Sequence, residues 1–236
     1  MHVRSHALRQ MNRNMHTQPD PERAGAPGRI LKAALVLFTQ RGYHGTSVRT
    51  IASVVGLEAA SLYHHFPSKQ RILFEIFEHT MNQLLAGMDK ALASAETIEG
   101  KLRALLRFHV FFHIERQHEA FLSHSELRSL TPSNRQRILG KRDRYERRLR
   151  DLLAAGVEAG LFEVRDVQLA TIAILMMWSG VSDWFVGGKR LTPDAVVDTY
   201  CDMTLALLRR SGDRGPALAD SGREIPGSRA WRDAAP

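Results

Sequence analysis

The chain has 236 residues, and its 33 lysines and arginines outnumber its 25 acidic residues, which gives a formal net charge of +8. This length holds one or two domains with a sizeable buried core, and the positive charge favours a polyanionic partner such as nucleic acid. The single cysteine, Cys201, excludes an internal disulfide framework and a cysteine-based zinc site. Its apolar helical surroundings predict a small buried side chain.

Residues 1–27 combine arginines and histidines with several prolines and show no hydrophobic periodicity, which predicts a disordered basic arm. Such an arm is either a plain extension or a segment that touches the minor groove or the phosphates of DNA. No apolar region follows the basic N-terminus, and the longest apolar stretch, residues 169–181, falls short of the roughly 20 residues that span a bilayer. We therefore expect a cytoplasmic protein without a membrane partner.

The first predicted helix runs from about Arg29 to Arg41. Ile30, Ala34 and Phe38 recur on one face of it at helical spacing. We expect this helix to hold the next two helices in place rather than to contact DNA.

Residues 46–69 are typical of two short helices joined by a tight turn. Thr46 or Ser47 is placed to cap the first helix, and Gly56 can adopt the left-handed conformation that ends it. The apolar positions follow helical spacing: Val48, Ile51, Ala52, Val55, Leu57, Leu62 and Phe66. Small, hydroxyl-bearing and imidazole side chains remain on the other side of the second helix. This arrangement predicts a helix-turn-helix whose second helix enters a DNA major groove.

Extended over residues 30–77, the pattern closely resembles the DNA-binding domain of the TetR family of bacterial repressors. The shared motifs are Phe-x-x-x-Gly-Tyr, Thr-Ser-Val-x-x-Ile-Ala and Leu-Tyr-x-His-Phe-x-x-Lys. The resemblance implies an all-α protein with a three-helix DNA-binding domain over residues 28–75 that binds a double-stranded operator. The residues that it implies at the DNA are Thr46, Ser47, Arg49, Ala59, Ala60, Ser61, Tyr63, His64, His65 and Lys69. Glu58 stands where the family often has Ser, and its carboxylate suits capping the helix or binding cytosine better than holding phosphate.

Among these positions, the resemblance places Ala59, Ala60 and Ser61 towards base edges. It places Tyr63, His65 and Lys69 at phosphates. Lys69 is therefore expected to contribute a sequence-independent electrostatic contact, whose loss lowers the salt dependence of binding by about one unit.

The C-terminal half is predicted to be helical throughout. A long helix from Ser68 to about Ala93 leads into it. Apolar periodicity predicts further helices over residues 98–115, around residues 121–130, from about Ser133 to Ala159, over residues 166–186, and from Pro193 to about Arg210. The 166–186 segment is apolar almost all round, which predicts burial on most sides. Residues 211–236 are rich in Gly, Pro and Ala and are expected to form a flexible tail.

The last predicted helix carries more apolar surface than one subunit needs to cover. Its two neighbouring stripes are Val196, Tyr200, Met203 and Leu207, and Val197, Cys201, Leu205 and Leu208. Pairing with a two-fold copy in a four-helix bundle would bury this surface. We expect a homodimer built from residues 166–186 and 193–210, an inverted-repeat operator, and loss of the dimer when Leu205 and Leu208 become charged.

No catalytic constellation is evident in the sequence. There is no Gly-rich phosphate loop, no Gly-x-Ser-x-Gly and no His-Glu-x-x-His. His109 and His113 are spaced to share a helix face, but a third metal ligand at motif spacing is missing. We therefore predict a protein that is not an enzyme and that has neither a metal site nor a cofactor.

Residues 123–162 resemble the TetR branch that regulates fatty-acid and steroid breakdown, many members of which respond to acyl-coenzyme A thioesters. The shared motifs are Glu-Leu-Arg-x-Leu, Arg-Asp-x-Tyr-Glu and Gly-x-x-x-Gly-x-Phe. The resemblance implies a ligand-binding and dimerisation domain over residues 76–210. The segment Trp184-Phe185-Val186-Gly187-Gly188 departs from that branch, because Val186 replaces an Arg.

An apolar tunnel with a cationic mouth would suit a thioester effector of this kind. The residues that we assign to it are Phe108, Phe112, Arg128, Arg142, Met177, Trp178, Trp184, Lys189 and Arg190. The alternative is that the aromatic and Met side chains are ordinary core and that the cations form a solvated face.

The sequence thus predicts a dimeric transcriptional repressor that a small hydrophobic effector releases from DNA, with an acyl-coenzyme A thioester as the suspected effector. Two other hypotheses remain open. The protein could sense hydrophobic drugs or aromatic compounds and control efflux, or it could bind DNA constitutively without any ligand.

Overall fold

The computed structural model describes residues 25–187 and 191–208, which form α-helices joined by turns, with one short 3-10 turn and no strand among them. The N-terminal helices are α1 (Gly25–Arg41), α2 (Val48–Val54) and α3 (Ala59–His65). They are followed by α4 (Lys69–Ala93), α5 (Ile98–Glu115), α6 (Gln117–Ser125), α7 (Pro132–Glu158), α8 (Val167–Ser179), α9 (Val181–Trp184) and α10 (Pro193–Leu208). The all-α prediction is confirmed.

The helix-turn-helix expected from residues 46–69 is present as α2 and α3. Ser47 Oγ accepts the Thr50 N–H at 3.0 Å and so caps α2. Gly56 takes a φ of 70° at the turn, a conformation that glycine adopts without steric cost. Leu62 of α3 is completely buried against the other helices.

Helix α1 supports this unit with the buried face that the sequence predicted, since Ile30, Ala34 and Phe38 are all buried. It begins at Gly25 rather than Arg29, so residues 25–27, predicted as the end of the basic arm, are helical. The rest of that arm, residues 1–24, lies outside the described residues, as does the tail over residues 211–236.

Helix α5 lies at the centre of the larger, C-terminal unit and contacts α4, α7, α8, α9 and α10. The Phe108 ring of α5 packs against Gly87 of α4, where an added Cβ would lie 2.0 Å from Cζ of the ring. A larger residue at Gly87 would therefore require the Phe108 ring to move. Helix α4 starts with Ser68 as its N-cap and runs without interruption from the helix-turn-helix into this unit.

The prediction of one continuous helix over residues 166–186 is wrong. Asp166 caps α8 through the Leu169 N–H, but the helix stops at Ser179, and Gly180 separates it from the short α9. The helix predicted around residues 121–130 also divides, into α6 and the 3-10 turn Leu127–Ser129. Apolar composition alone did not show either break, because the residues on both sides of each break are equally suited to a helix.

The apolar composition of α8 predicted burial on most sides, but one side of this helix is exposed. Leu169, Ile172 and Met176 are exposed in a row on its outer face, and Met176 is 72% exposed. On α10, Met203 and Leu207 are about half exposed. Together these five side chains form a surface that we name the α8/α10 face.

The other stripe of α10 packs inside the subunit. Leu205 and Leu208 are buried, and so is Cys201, as predicted. Leu205 and Leu208 thus belong to the core of the subunit, so charges there would disrupt the subunit itself as well as any dimer, and the interface has to be tested at exposed positions. Among the described residues, no helix combines the length and the hydropathy needed to cross a membrane.

Candidate functional site

The first candidate surface is formed by α3 and the start of α2. Ala60, Tyr63, His64 and His65 are exposed on α3, while Ala59 and Ser61 are partly exposed. Ser47 and Arg49 are exposed at the start of α2. Most of the residues predicted at the DNA thus share one accessible surface of the helix-turn-helix.

Thr46 lies elsewhere, because its side chain is only 1% exposed. Its hydroxyl donates to the carbonyls of Leu37 and Gly42, at 3.3 and 3.0 Å. These bonds fasten the segment before α2 to the end of α1. Glu58 occupies the N-cap position of α3, but its side chain accepts no backbone N–H there, so its expected capping role is wrong.

Lys69, at the start of α4, is directed into the protein. Its ammonium donates to the carbonyls of Tyr43 and Thr46, both at 2.8 Å, and lies 4.2 Å from the centre of the Tyr43 ring. Desolvation by burial lowers the pKa of Lys69. Lys69 therefore ties the start of α4 to the loop before α2, which fixes the position of the helix-turn-helix.

We predict that Lys69→Met and Arg49→Ala both weaken DNA binding but differ in their salt dependence. Arg49→Ala should lower the slope of log affinity against log salt by about one unit, as the loss of one phosphate contact does. Lys69→Met should weaken binding to every sequence with the slope unchanged, because its ammonium is engaged by carbonyls of the protein. Fluorescence anisotropy over a range of salt concentrations measures both, and a slope lowered by Lys69→Met would place that ammonium at a phosphate.

The second candidate site is a cavity of about 220 Å³ between α4, α5, α6, α7 and α8. Part of its wall is apolar: Met81, Leu84, Phe112, Ala120 and Leu175. Residues with polar groups also line it: Thr80, His109, His113, Arg116, Ser123, His124, Arg142, Tyr145, Glu146 and Ser179. The sequence predicted an apolar tunnel, and most of the exposed wall surface is apolar, with these polar groups set into it.

A histidine network forms one side of the cavity. His109 is hydrogen-bonded to the Tyr145 hydroxyl at 2.7 Å and to the Ser179 hydroxyl at 3.0 Å. Its ring stacks on that of His113 at 4.1 Å, and His113 Nδ1 donates to the His109 carbonyl at 2.9 Å. Burial lowers the pKa of His113 to about 4 and holds that of His109 well below its ordinary value. Both rings are therefore neutral near pH 7.

These neutral histidines do not assemble a metal site in the part of the chain that the structure describes. No group of three or more His, Cys, Asp or Glu side chains suited to a metal ion occurs there. In a neutral imidazole whose Nδ1 carries the proton, Nε2 is an acceptor. His113, which donates Nδ1–H to the His109 carbonyl, thus offers an Nε2 acceptor at the wall.

The same wall holds two guanidinium groups. Arg142 donates to the Ser123 carbonyl at 2.9 Å, and among the described residues no carboxylate forms an ion pair with it. Desolvation by burial lowers the pKa of Arg142, although an arginine remains charged in proteins. Arg116 lies over the Phe112 ring at 4.5 Å and donates to the Gln83 side chain. A partly desolvated cation without a carboxylate partner favours an anionic or carbonyl-bearing ligand.

Of the predicted ligand residues, only Phe112 and Arg142 line this cavity. Phe108 packs on Gly87, Arg128 is exposed in the 3-10 turn, and Lys189 and Arg190 lie outside the described residues. Met177, Trp178 and Trp184 are also absent from the wall. Sequence reasoning missed the histidines, Arg116 and Tyr145 as wall residues. The spacing of His109, Phe112, His113 and Arg116 on one helix face was the signal that could have found most of them.

Trp178 is part of the core between α8 and α10. It is completely buried, and its Nε1–H donates to Thr204 Oγ1 at 3.0 Å. Its ring meets His109 edge-on at 5.6 Å, so it supports the cavity wall from behind.

We therefore predict that Trp178→Ala lowers the free energy of unfolding by about 3–5 kcal/mol, because a large buried aromatic side chain leaves a cavity and Thr204 loses its partner. Trp184→Ala is the matched control, since Trp184 is 45% exposed, and it should cost much less. Urea denaturation measures both. Equal losses for the two variants would contradict the assignment of Trp178 to the core.

Comparison with known proteins places both units in one family. Residues 30–76 match the model of the bacterial regulatory proteins of the tetR family, and residues 95–208 match a tetracyclin repressor-like C-terminal domain. The chain is 31% identical over 198 residues to the HTH-type transcriptional repressor KstR2 of Rhodococcus jostii. The aligned region covers 81% of this chain and 96% of that protein.

Two solved structures are similar along most of the chain. The TetR family regulator PfmR of Thermus thermophilus is 37% identical, with a TM-score of 0.70, and covers 77% of this chain and 100% of that one. AibR, solved in complex with isovaleryl coenzyme A and operator DNA, is 26% identical, with a TM-score of 0.68, and covers 74% of this chain and 95% of that one.

Proposed function

The chain belongs to the TetR family of bacterial regulatory proteins, and from that membership we propose that it is a transcriptional repressor that binds an inverted-repeat operator as a homodimer. Residues 28–75 serve as the DNA-binding domain, and residues 76–210 as the ligand-binding and dimerisation domain. The family consists of regulators, so the chain is not an enzyme. The cytoplasm is the compartment in which such a protein meets its operator.

The effector that we propose is an acyl-coenzyme A thioester from lipid or steroid breakdown. The observation that carries this proposal is Arg142, a cation in the cavity wall that, among the described residues, donates to the Ser123 carbonyl and has no carboxylate partner. A thioester with its amide-bearing arm and phosphates supplies acceptors for Arg142 and Arg116 and an amide N–H donor for His113 Nε2. A ligand without polar atoms would leave these groups unpaired, at about 1–3 kcal/mol each.

One relative supports the repressor role, and another supports the effector class. KstR2 of Rhodococcus jostii is named a transcriptional repressor, and it aligns with most of this chain. AibR was solved with both isovaleryl coenzyme A and operator DNA, so the same fold accommodates a thioester and an operator. The apolar part of the wall, from Met81, Leu84 and Leu175, would then receive the acyl group.

The α8/α10 face is proposed as the dimer interface. Exposed Leu169 and Met176 on α8 and Met203 on α10 would pair with the same residues of a two-fold copy in a four-helix bundle. The dimer would set two α3 helices about 34–36 Å apart, or a multiple of it, which matches one helical turn of DNA between half-sites.

The effector can release DNA only if it has a higher affinity for the conformation that does not bind DNA than for the conformation that does. Helix α4 runs from the helix-turn-helix to the cavity, where it contributes Thr80, Met81 and Leu84. Filling the cavity would displace α4 and change the spacing of the two α3 helices.

A mobility shift of an operator fragment, titrated with three ligand classes, tests this proposal. We expect acyl-coenzyme A thioesters to release the DNA, whereas the matching free acids should do so poorly because they lack the phosphates. Release by cationic dyes alone would support a drug sensor, and release by none of the three classes would support a constitutive DNA-binding protein. Either result would overturn the proposed effector.

A further inference from the structure

One acidic side chain connects the cavity helix α6 to the loop before the helix-turn-helix. Glu126 directly follows α6, and its Oε1 accepts the backbone N–H of Tyr43 at 3.1 Å, across 83 residues of sequence. Its Oε2 accepts the Ser129 hydroxyl at 2.6 Å. We name this arrangement the Glu126 bridge.

The peptide that the Glu126 bridge holds is also held from its other side. The Tyr43 carbonyl accepts from Lys69 at 2.8 Å, so the N–H and the carbonyl of one residue are bound to two different elements. Gln70, at the start of α4, makes a second connection to the segment between α6 and α7. Its Nε2 donates to the Ser129 carbonyl, and its Oε1 accepts the Thr131 N–H. The segment between α6 and α7 is thereby fixed to both the α1–α2 loop and the start of α4.

The local backbone leaves room for this contact. Gly42 has a φ of 75°, and a Cβ at that position would lie 3.4 Å from Glu126 Oε1. A larger residue would be strained there and would crowd the carboxylate. A charged acceptor also makes a stronger bond to a backbone N–H than a neutral one does.

The helix that precedes Glu126, α6, also forms part of the cavity wall. Ala120, Ser123 and His124 line the wall within two turns of Glu126, and Ser123 is the residue whose carbonyl binds Arg142. Helix α6 also packs against α1. A movement of α6 in response to a ligand would therefore act on the Tyr43 peptide through a single short helix.

We propose that Glu126 is a positioning residue that holds the helix-turn-helix in its DNA-binding position and transmits the occupancy of the cavity to it. The identity of the ligand rests on the proposed function, whereas the holding role does not. Loss of the carboxylate leaves the cavity wall intact, because Glu126 does not line it. It removes the acceptor of the Tyr43 N–H.

The test compares Glu126→Ala and Glu126→Gln with Glu158→Ala in the full-length protein. Glu126→Gln keeps an acceptor for the Tyr43 N–H, and Glu158 is an exposed carboxylate at the end of α7 that does not line the cavity. We expect Glu126→Ala to bind the thioester within about two-fold of the native affinity, while the ratio of operator affinities without and with thioester falls by about five-fold or more. Glu126→Gln should restore most of that ratio, and Glu158→Ala should leave it unchanged.

Two further measurements separate this proposal from the proposed function. Hydrogen exchange of the Tyr43 amide should become faster in Glu126→Ala, at an unchanged melting temperature. If thioesters do not release DNA from the native protein, the proposed effector is wrong. The operator affinity of Glu126→Ala without ligand, compared with that of the native protein, then tests whether Glu126 holds the helix-turn-helix in position. A loss of about five-fold or more in Glu126→Ala supports it, and an unchanged affinity overturns it. With a working thioester, an unchanged affinity ratio in Glu126→Ala overturns the coupling.

Discussion

Glutamate at both Met176 and Met203 is expected to convert the proposed dimer into folded monomers and to weaken operator binding by about 10²–10⁴-fold, the gain that two linked half-sites provide. Both side chains are at least half exposed on the α8/α10 face, so the charges do not enter the core of the subunit. In the proposed interface they would face like charges of the two-fold copy. Sedimentation measures the mass, and anisotropy measures the affinity for the full repeat and for one half-site.

Ala154→Glu is the control for adding a charge. Ala154 is exposed on α7, on a side that already carries exposed Arg147 and Asp151. This variant should remain a dimer with native affinity, and all variants should bind a single half-site equally. A native protein that sediments as a monomer at micromolar concentration would contradict the interface assignment, and so would a double variant that remains dimeric.

Arg142→Met is expected to weaken thioester binding by about 10–100-fold, which corresponds to the loss of about 1.5–3 kcal/mol from a charged hydrogen bond. Methionine keeps much of the stem volume but removes the guanidinium from the cavity wall. DNA binding without ligand should stay native, because Arg142 is on α7 in the cavity wall and not on the α3 surface. Calorimetry with an acyl-coenzyme A thioester measures the change.

Arg144→Met provides the matched control, because Arg144 is exposed on the same helix and does not line the cavity. It removes one positive charge from the protein surface and should leave thioester affinity within about two-fold of native, since an exposed charge in high dielectric contributes little. Equal losses in the two variants would mean that general attraction of the phosphates, rather than the cavity wall, accounts for binding.

The helix-turn-helix was predictable because its signals are local. Ser47 as a cap, Gly56 as a left-handed turn and the buried Leu62 are each fixed by neighbours within a few residues. The role of Lys69 was not predictable in this way. Its partners, the carbonyls of Tyr43 and Thr46, are more than 20 residues away, and a lysine at a helix start has the same sequence signature whether it faces phosphate or protein.

The cavity was harder to predict, because its wall draws on five helices. Periodicity shows which residues of a helix are apolar, but not which of two buried faces meets a void. Trp178 and Phe112 are both buried aromatic residues, and only Phe112 lines the cavity. The break at Gly180 and the Glu126 bridge depend on tertiary packing in the same way, since neither has a signal within its own segment.

The central claim is that occupancy of the cavity and binding of DNA oppose each other in one molecule. Calorimetry of an acyl-coenzyme A thioester against the protein alone, and against the protein saturated with its operator, tests this most directly. We predict that the operator weakens thioester binding by about 5–150-fold, and by the same factor by which the thioester weakens operator binding, because coupling is reciprocal. Equal thioester affinities with and without operator DNA would contradict it.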